Sequence, residues 1–337
     1  MYYMGMDVHA KVSMICVLDE GGKPVREVKV RGDLGHLVGA VAVLKNALGR
    51  LKVCYEASCG YGWLHDQLRS LGCQVQVAHP GKVRLIFRTK RKNDRIDAQK
   101  LALLLYLDQV PLAHVPPAER RQWRSLIEYR QRLVSRRGAA KNRLRALVRR
   151  NGASAPRGLW TRRGRAYLAD VAFSECEAIQ RDQLLEELQT VADQIRRVER
   201  ILKTQADREP AVSLLTTIPG VGVRTAEAVA AYIDDPNRFR RNKSVGCYFG
   251  LVPCENTSVK ARFGHITKEG PATVRKLLVE ATWQAIRRDA HVRAYFDRVQ
   301  RGDPNRKKIA VVATAHHLLR VMHAMFRTGE VWRSAAA

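Results

Sequence analysis

The stretch Lys92-Asn93-Asp94-Arg95-Ile96-Asp97-Ala98-Gln99-Lys100-Leu101-Ala102 holds two aspartates three residues apart. Apolar residues recur at Ile96, Leu103, Leu104 and Leu107, a helical period. Asn93 is a good N-cap, so the helix is predicted to begin at the acids. Positions i and i+3 share a helix face, so both carboxylates point the same way. Like charges that close repel unless a cation separates them, and magnesium, which takes hard oxygen ligands, suits that place. The other reading is two solvated acids at a helix N-terminus, favoured there by the macrodipole. From Lys82 to Lys92 the chain has six basic residues and no acid. Carboxylates beside a basic run suit metal chemistry on a phosphate backbone.

Upstream, the pattern is that of strands. Tyr2 to Val8 is apolar until it meets Asp7, and Val12 to Leu18 is a second apolar run. Glu20-Gly21-Gly22-Lys23 predicts a hairpin turn, and Val25 to Val30 alternates as a third strand. Leu34 to Leu51 predicts a helix, Val53 to Glu56 a strand, Tyr61 to Leu71 a helix and Val75 to Ala78 a strand. Three strands, a helix, then alternating strand and helix is the order of an RNase H-like fold. That fold puts acids on its first strand, at the end of a later strand and on a following helix. Asp7, Glu56, Asp94 and Asp97 occupy those places. Four such carboxylates are able to bind one or two magnesium ions about 4 Å apart. An acid at a strand end is often merely solvated; Asp7 resists that reading because it interrupts a strand that looks buried. His9 lies two residues on, on the same face of the strand; it suits orienting a ligand or touching phosphate, but a lone histidine is more often structural and is not counted as a ligand.

The whole chain is strongly basic. Its 337 residues carry 60 Lys and Arg against 32 Asp and Glu, a net +28. Such a field implies a polyanionic partner, nucleic acid first and an acidic membrane surface second. No apolar run looks long enough for a membrane span and no signal peptide precedes Asp7, so a cytoplasmic protein is expected. The seven cysteines make an odd count without CxxC spacing, which indicates neither a zinc knuckle nor a disulfide framework.

Residues 118 to 205 differ in kind. Leu126, Leu133, Ala140, Leu144 and Leu147 form one apolar stripe; Leu184, Leu188, Val191, Ile195, Val198 and Leu202 form a heptad seam. The segment from Asn151 to Gly158 breaks the two helices apart. The prediction is a long helical coiled-coil arm, pairing with itself or with another copy. Between Glu119 and Arg165 stand 16 Lys or Arg and two Glu, a net +14. Trp123, Trp160 and Tyr167 are interleaved, as stacking on unpaired bases would require, although aromatics on helices are more often core.

After Pro210, Leu214 to Gly222 (LLTTIPGVG) leads into a helix from Arg224 to Tyr232, like a helix-hairpin-helix turn whose glycines admit a phosphate. Phe249 to Gly270 reads as a polar loop, followed by a helix from Ala272 to Arg287. In that loop Ser258 is followed by Lys260 and Arg262, which suit a scissile phosphate. A serine hydroxyl needs a base or metal to activate it, and loop serines usually cap or solvate.

Taken together, MGMDVHAK, CYEASCGYGW, KRKNDRIDAQKLA, IPGVGVRTAEAVAAYI, YFGLVPCENTS and GHITKEGPATVRKLLVEA resemble the DEDD transposases of bacterial insertion sequences, the IS one-ten and IS eleven-eleven type. The resemblance runs nearly end to end. It implies a RuvC-like domain over residues 1–112, a basic helical coiled-coil connector over 113–208 and a mainly helical C-terminal transposase domain over 209–337. It implies that Asp7, Glu56, Asp94 and Asp97 bind magnesium, with manganese as the alternative ion. It further implies a serine that attacks DNA, forms a phosphoserine link and exchanges strands. A non-coding guide RNA, and a dimer or tetramer in which acids and serine meet across a subunit interface, belong to the same expectation, in a bacterial, nucleoid-associated setting. Here the nucleophile segment reads Thr257-Ser258-Val259-Lys260, one residue shorter than the usual pattern and without its glycine. Ser258 is the expected nucleophile and Thr257 the fallback. Two other functions stay open: a RuvC-like nuclease using metal-activated water, and a non-enzymatic nucleic-acid binder with degenerate acids.

Overall fold

In the first part of the chain, strands β1 (Tyr2–Asp7), β2 (Val12–Leu18) and β3 (Pro24–Arg31) form an antiparallel meander. Helix α1 (Leu34–Leu48) then leads to β4 (Leu51–Glu56), α2 (Tyr61–Ser70), β5 (Gln74–Ala78), α3 (Pro80–Ile86) and α4 (Asp94–Tyr106). The sheet order is β3-β2-β1-β4-β5, with β4 and β5 parallel to β1. The computed structural model describes residues 1–58, 60–87, 93–256 and 262–333, which divide into two units, Met1–Arg121 and Gln122–Ala337. The helix predicted over residues 34–51 is shorter: Gly49, at φ 77°, ends it at Leu48, and β4 starts at Leu51. At its other end Asp33 caps it, accepting from the backbone N–H groups of Gly35 and His36.

Alternation along the strands sorts side chains to two faces. Met4, Met6, Val53 and Tyr55 are buried on the face shared with Leu37, Val41, Leu64 and Leu68 of α1 and α2. Tyr3, Gly5 and Asp7, the alternate set of β1, turn to the face covered by α4. There Cys54, Leu101 and Leu105 pack together, as do Cys16, Ala98 and Ala102. The buried side of α4 is Ala98, Leu101, Ala102, Leu104 and Leu105, whereas Ile96, Leu103 and Leu107 are exposed. Of the predicted apolar stripe only Leu104 is buried; Leu101 and Leu105 join Ala98 and Ala102 on the inner face, and the two alanines make the closest approach to the sheet.

Helix α5 (Ala118–Arg150) starts in the last residues of the first unit and runs into the second, followed by α6 (Arg162–Asp170) and α7 (Glu175–Asp207). Both long helices have 33 residues. They run antiparallel within the chain, joined by Arg130–Glu199 (2.6 Å), Arg136–Glu187 (2.7 Å) and Arg150–Glu177 (3.3 Å). A capping box of Ser174 and Glu177 starts α7. Leu144, Leu147, Val148, Leu159 and Leu168 make a small core at the far end of the arm. Trp123, Ile127, Val191, Ile195 and Leu202 join the core of the C-terminal helices. Trp123 is 4% exposed, so it packs in the interior and is not available to stack on bases.

The C-terminal helices are α8 (Pro210–Thr216), α9 (Val223–Ile233), α10 (Asn242–Tyr248), α11 (Ala272–Arg288), α12 (Ala290–Gln300) and α13 (Lys307–Thr328). Between α10 and α11, β6 (Pro253–Asn256) and β7 (Arg262–Ile266) pair antiparallel, where the sequence predicted only a loop. Short, polar strands give no apolar alternation to read. At the α8–α9 turn, a Cβ on Gly220 would lie 2.4 Å from the backbone nitrogen of Ala285. That glycine thus serves the approach of α11, while Gly222, the N-cap of α9, faces open space. Residues Pro304–Thr328 are long and apolar enough to cross a membrane by composition, contrary to the sequence expectation. In the fold Val311, Ala315, Leu318, Leu319 and Met322 bury that side in the core.

Candidate active site

Asp7 ends β1, and its carboxylate lies on the α4 face, 19% exposed. Asp94 begins α4, whose N-cap Asn93 accepts from the backbone N–H of Arg95 at 3.1 Å. Helix and strand come together because β1 has no side chain at residue 5. A Cβ there would stand 2.1 Å from the Ala98 carbonyl oxygen and 2.3 Å from the Ala102 nitrogen. One step toward the start of the strand, the rings of Tyr3 and Tyr106 meet edge to face at 5.3 Å. One step toward its end, Asp7 meets the N-terminus of α4. Arg95 (2.5 Å) and Gln99 (2.5 Å) bond Glu27 of β3, fixing the helix from the other side.

His9 stands between the two acids. Its Nε2 is 3.2 Å from Asp7 Oδ2 and 3.9 Å from Asp94 Oδ1. Ligand atoms of Asp7, His9 and Asp94 all lie within 4.8 Å of one another. Donors on one divalent ion, each about 2.0–2.6 Å from it, are at most roughly 4–5 Å apart, so this donor set fits such an ion. Burial raises the Asp7 carboxyl above the usual aspartate range; His9 opposes that, and the charges of Asp94 and Asp97 add to it. A cation among these groups would relieve both desolvation and repulsion.

Asp97 is one turn into α4 and accepts from Lys100 Nζ at 2.9 Å; that ammonium also lies over the Phe87 ring at 5.4 Å. Glu56 ends β4, beside β1. The register pairs Met6 with Tyr55, so the next position along sets Asp7 beside Glu56 on the same face. Burial, and then the Glu56 charge, push up the Cys54 thiol on that face. The fold thus brings Asp7, Asp94 and Asp97 together and aims Glu56 at the same end of the sheet. Ser258 and Thr257 lie outside the described residues, as do residues 88–92 of the basic run. Sequence reasoning set His9 aside; the Asp-x-His spacing at a strand end was the signal for it. Lys100 was signalled by its i+3 spacing from Asp97.

The arm supplies the basic surface. Arg143, Arg149, Arg157, Arg162, Arg163 and Arg165 are exposed around its far end. Lys141 and Arg145 lie 4.8 Å and 5.2 Å from the Trp160 ring centre, so Trp160 holds cations in place. Tyr167 donates its hydroxyl to the Ser154 carbonyl at 3.0 Å.

Two family models match the chain. Residues 4–151 match a transposase model of the DEDD type of IS110, and residues 212–297 match the transposase family IS116/IS110/IS902. The first span contains all four acids and the second contains Ser258. Among relatives, the transposase for insertion sequence element IS1111A of Coxiella burnetii is 27% identical, covering 99% of this chain and 92% of its own. A probable family 20 transposase of Pseudomonas aeruginosa is 28% identical over 87% of this chain and 89% of its own. The transposase for IS1328 of Yersinia enterocolitica is 29% identical over 68% and 69%. Matched at both ends by transposase models and along its length by such relatives, the chain belongs to the IS110-type DEDD transposases, enzymes that act on DNA.

Proposed function

We propose that this transposase cuts and rejoins DNA at the ends of an insertion sequence and at its target, guided by a non-coding RNA of the same element. Asp7, Glu56, Asp94 and Asp97 hold magnesium, or manganese in its place, on an RNase H-like sheet. The observation that carries this is the meeting of Asp7 and Asp94 around one point at the end of β1. A bound divalent ion supplies charge neutralisation at the phosphate and lowers the barrier to proton loss from the attacking hydroxyl. The chain's own groups do the rest. Ser258 Oγ bonds to phosphorus; the bond from phosphorus to the leaving deoxyribose oxygen breaks, and that oxygen takes up a proton. A second strand's hydroxyl then attacks the phosphoserine, releasing the serine and joining the strands.

The far end of the α5–α7 arm binds RNA through its arginines, and the open side of the α8–α9 turn, like a helix-hairpin-helix, lies against a DNA phosphate. The working form is a homo-oligomer, a dimer or tetramer, in the bacterial cytoplasm at the nucleoid. Within the chain the connector is residues 113–208, between a RuvC-like domain and a C-terminal transposase domain. A denaturing gel tests the chemistry. Protein, guide RNA and supercoiled target DNA with magnesium are expected to yield a protein–DNA adduct that Ser258→Ala abolishes and Thr257→Ala keeps. Free hydrolysed ends from both variants would instead mean that water is the nucleophile.

A further inference from the structure

The acidic centre contains one group that a purely carboxylate site does not need. His9 follows β1, and its backbone is held: its N–H donates to Ser13 Oγ at 3.2 Å, and Ser13 is 3% exposed on β2. Two residues on, the Lys11 carbonyl accepts from Gly32 at 2.9 Å. The imidazole is thus carried by a fixed turn. One ring nitrogen, Nε2, faces both carboxylates, at 3.2 Å and 3.9 Å. Asp97, by contrast, is engaged by Lys100. Among the described residues, Asp7, His9 and Asp94 bring two oxygens and one nitrogen within 4.8 Å of one another.

We propose that His9 Nε2 is a direct ligand of the divalent ion, and that it turns this centre toward manganese over magnesium. The inference rests on the acidic centre argued above, and adds a ligand to it. Magnesium takes oxygen ligands and dehydrates reluctantly, whereas first-row transition ions accept imidazole nitrogen. An acidic centre that includes an imidazole consequently separates the two ions in a way that carboxylates alone do not. The competing account is an imidazole that only hydrogen-bonds Asp7 and swings out when an ion enters.

Pulsed EPR on the full-length protein, labelled with 15N-histidine and loaded with Mn2+ alone, distinguishes these. The expected result is a directly coordinated nitrogen that disappears in His9→Ala and in His9→Gln. In both variants Mn2+ is expected to bind about tenfold more weakly or worse, with Mg2+ binding changed less. His9→Asp is expected to keep an ion but to lose the preference for manganese. Two findings would overturn the proposal: Mn2+ held in an Asp94-dependent way with no coordinated nitrogen, or a nitrogen signal that persists in His9→Ala. If Asp7→Asn and Asp94→Asn both leave Mn2+ binding unchanged, the acidic centre itself fails, a different result from the loss of the histidine alone.

Discussion

Gly5 of β1 and Ala98 of α4 touch backbone to backbone: a Cβ on Gly5 would come within 2.1 Å of the Ala98 carbonyl oxygen. This contact sets the distance between the strand that ends in Asp7 and the helix that begins with Asp94. Gly5→Ala is expected to push α4 off the sheet, at about 1–3 kcal/mol of overpacking. The expected readout is a lower melting temperature together with weakened divalent-ion binding, measured by calorimetry. Gly39, in α1 with nothing within 4 Å of an added Cβ, is the control: Gly39→Ala should leave ion binding unchanged.

Neutralising the end of the arm is expected to act through salt dependence. Replacing Arg143, Arg149, Arg157 and Arg163 by Gln should flatten the plot of log affinity against log salt. Each lost phosphate contact is worth about 0.7 in slope on single strands and about 0.9 on duplex DNA. Filter binding with the proposed guide RNA across a salt series measures it. An unchanged slope would move the nucleic-acid surface elsewhere.

Glu227 in α9 gives a pH signature of its own. It is 1% exposed, and burial pushes its carboxyl up to about 8, against the pull of Arg224 at 3.0 Å and of Arg130, with Glu199 adding to the rise. The folded state therefore keeps this proton where the unfolded chain has lost it. Stability should fall as pH rises from the ordinary glutamate range to about 8, by a few kcal/mol at most. Glu227→Gln cannot ionise. It should melt close to the parent at pH 5 and above it, by roughly 5 °C, at pH 8.5. Parallel melting curves across that range would show that the carboxyl ionises freely.

Trp160 is expected to matter for the arm rather than for base stacking. Its ring holds Lys141 and Arg145, each contact worth about 0.5–1 kcal/mol. Trp160→Phe should largely preserve both RNA affinity and protection of the α5 end in hydrogen exchange; Trp160→Ala should reduce both. Reduced affinity with undiminished protection would favour direct stacking on RNA.

The inner strands were readable from their residues because each is an apolar run bounded by a turn or an acid, as Val12 to Leu18 and Val53 to Glu56 show, and β3 from its alternation. The start of α4 was readable from Asn93 and the two aspartates. Its close approach to the sheet was not, since Gly5, Ala98 and Ala102 make that contact and none is a strong apolar signal. The same holds for Gly220, whose reason lies in Ala285, distant in sequence. The β6–β7 hairpin escaped because its strands are short and polar. His9 was set aside because its spacing from Asp7 alone does not show that a helix some 85 residues later will place Asp94 beside it.

The proposed gathering of Asp7, Glu56 and the start of α4 around one cation can be read directly by iron-mediated cleavage. Ferrous ion with ascorbate, added to the full-length protein, breaks the polypeptide next to where the ion sits. Cuts are expected near Asp7, Glu56 and Asp94, competed away by magnesium or manganese and absent in Asp7→Asn. Cuts spread over the chain, or concentrated away from these three segments, would contradict the account.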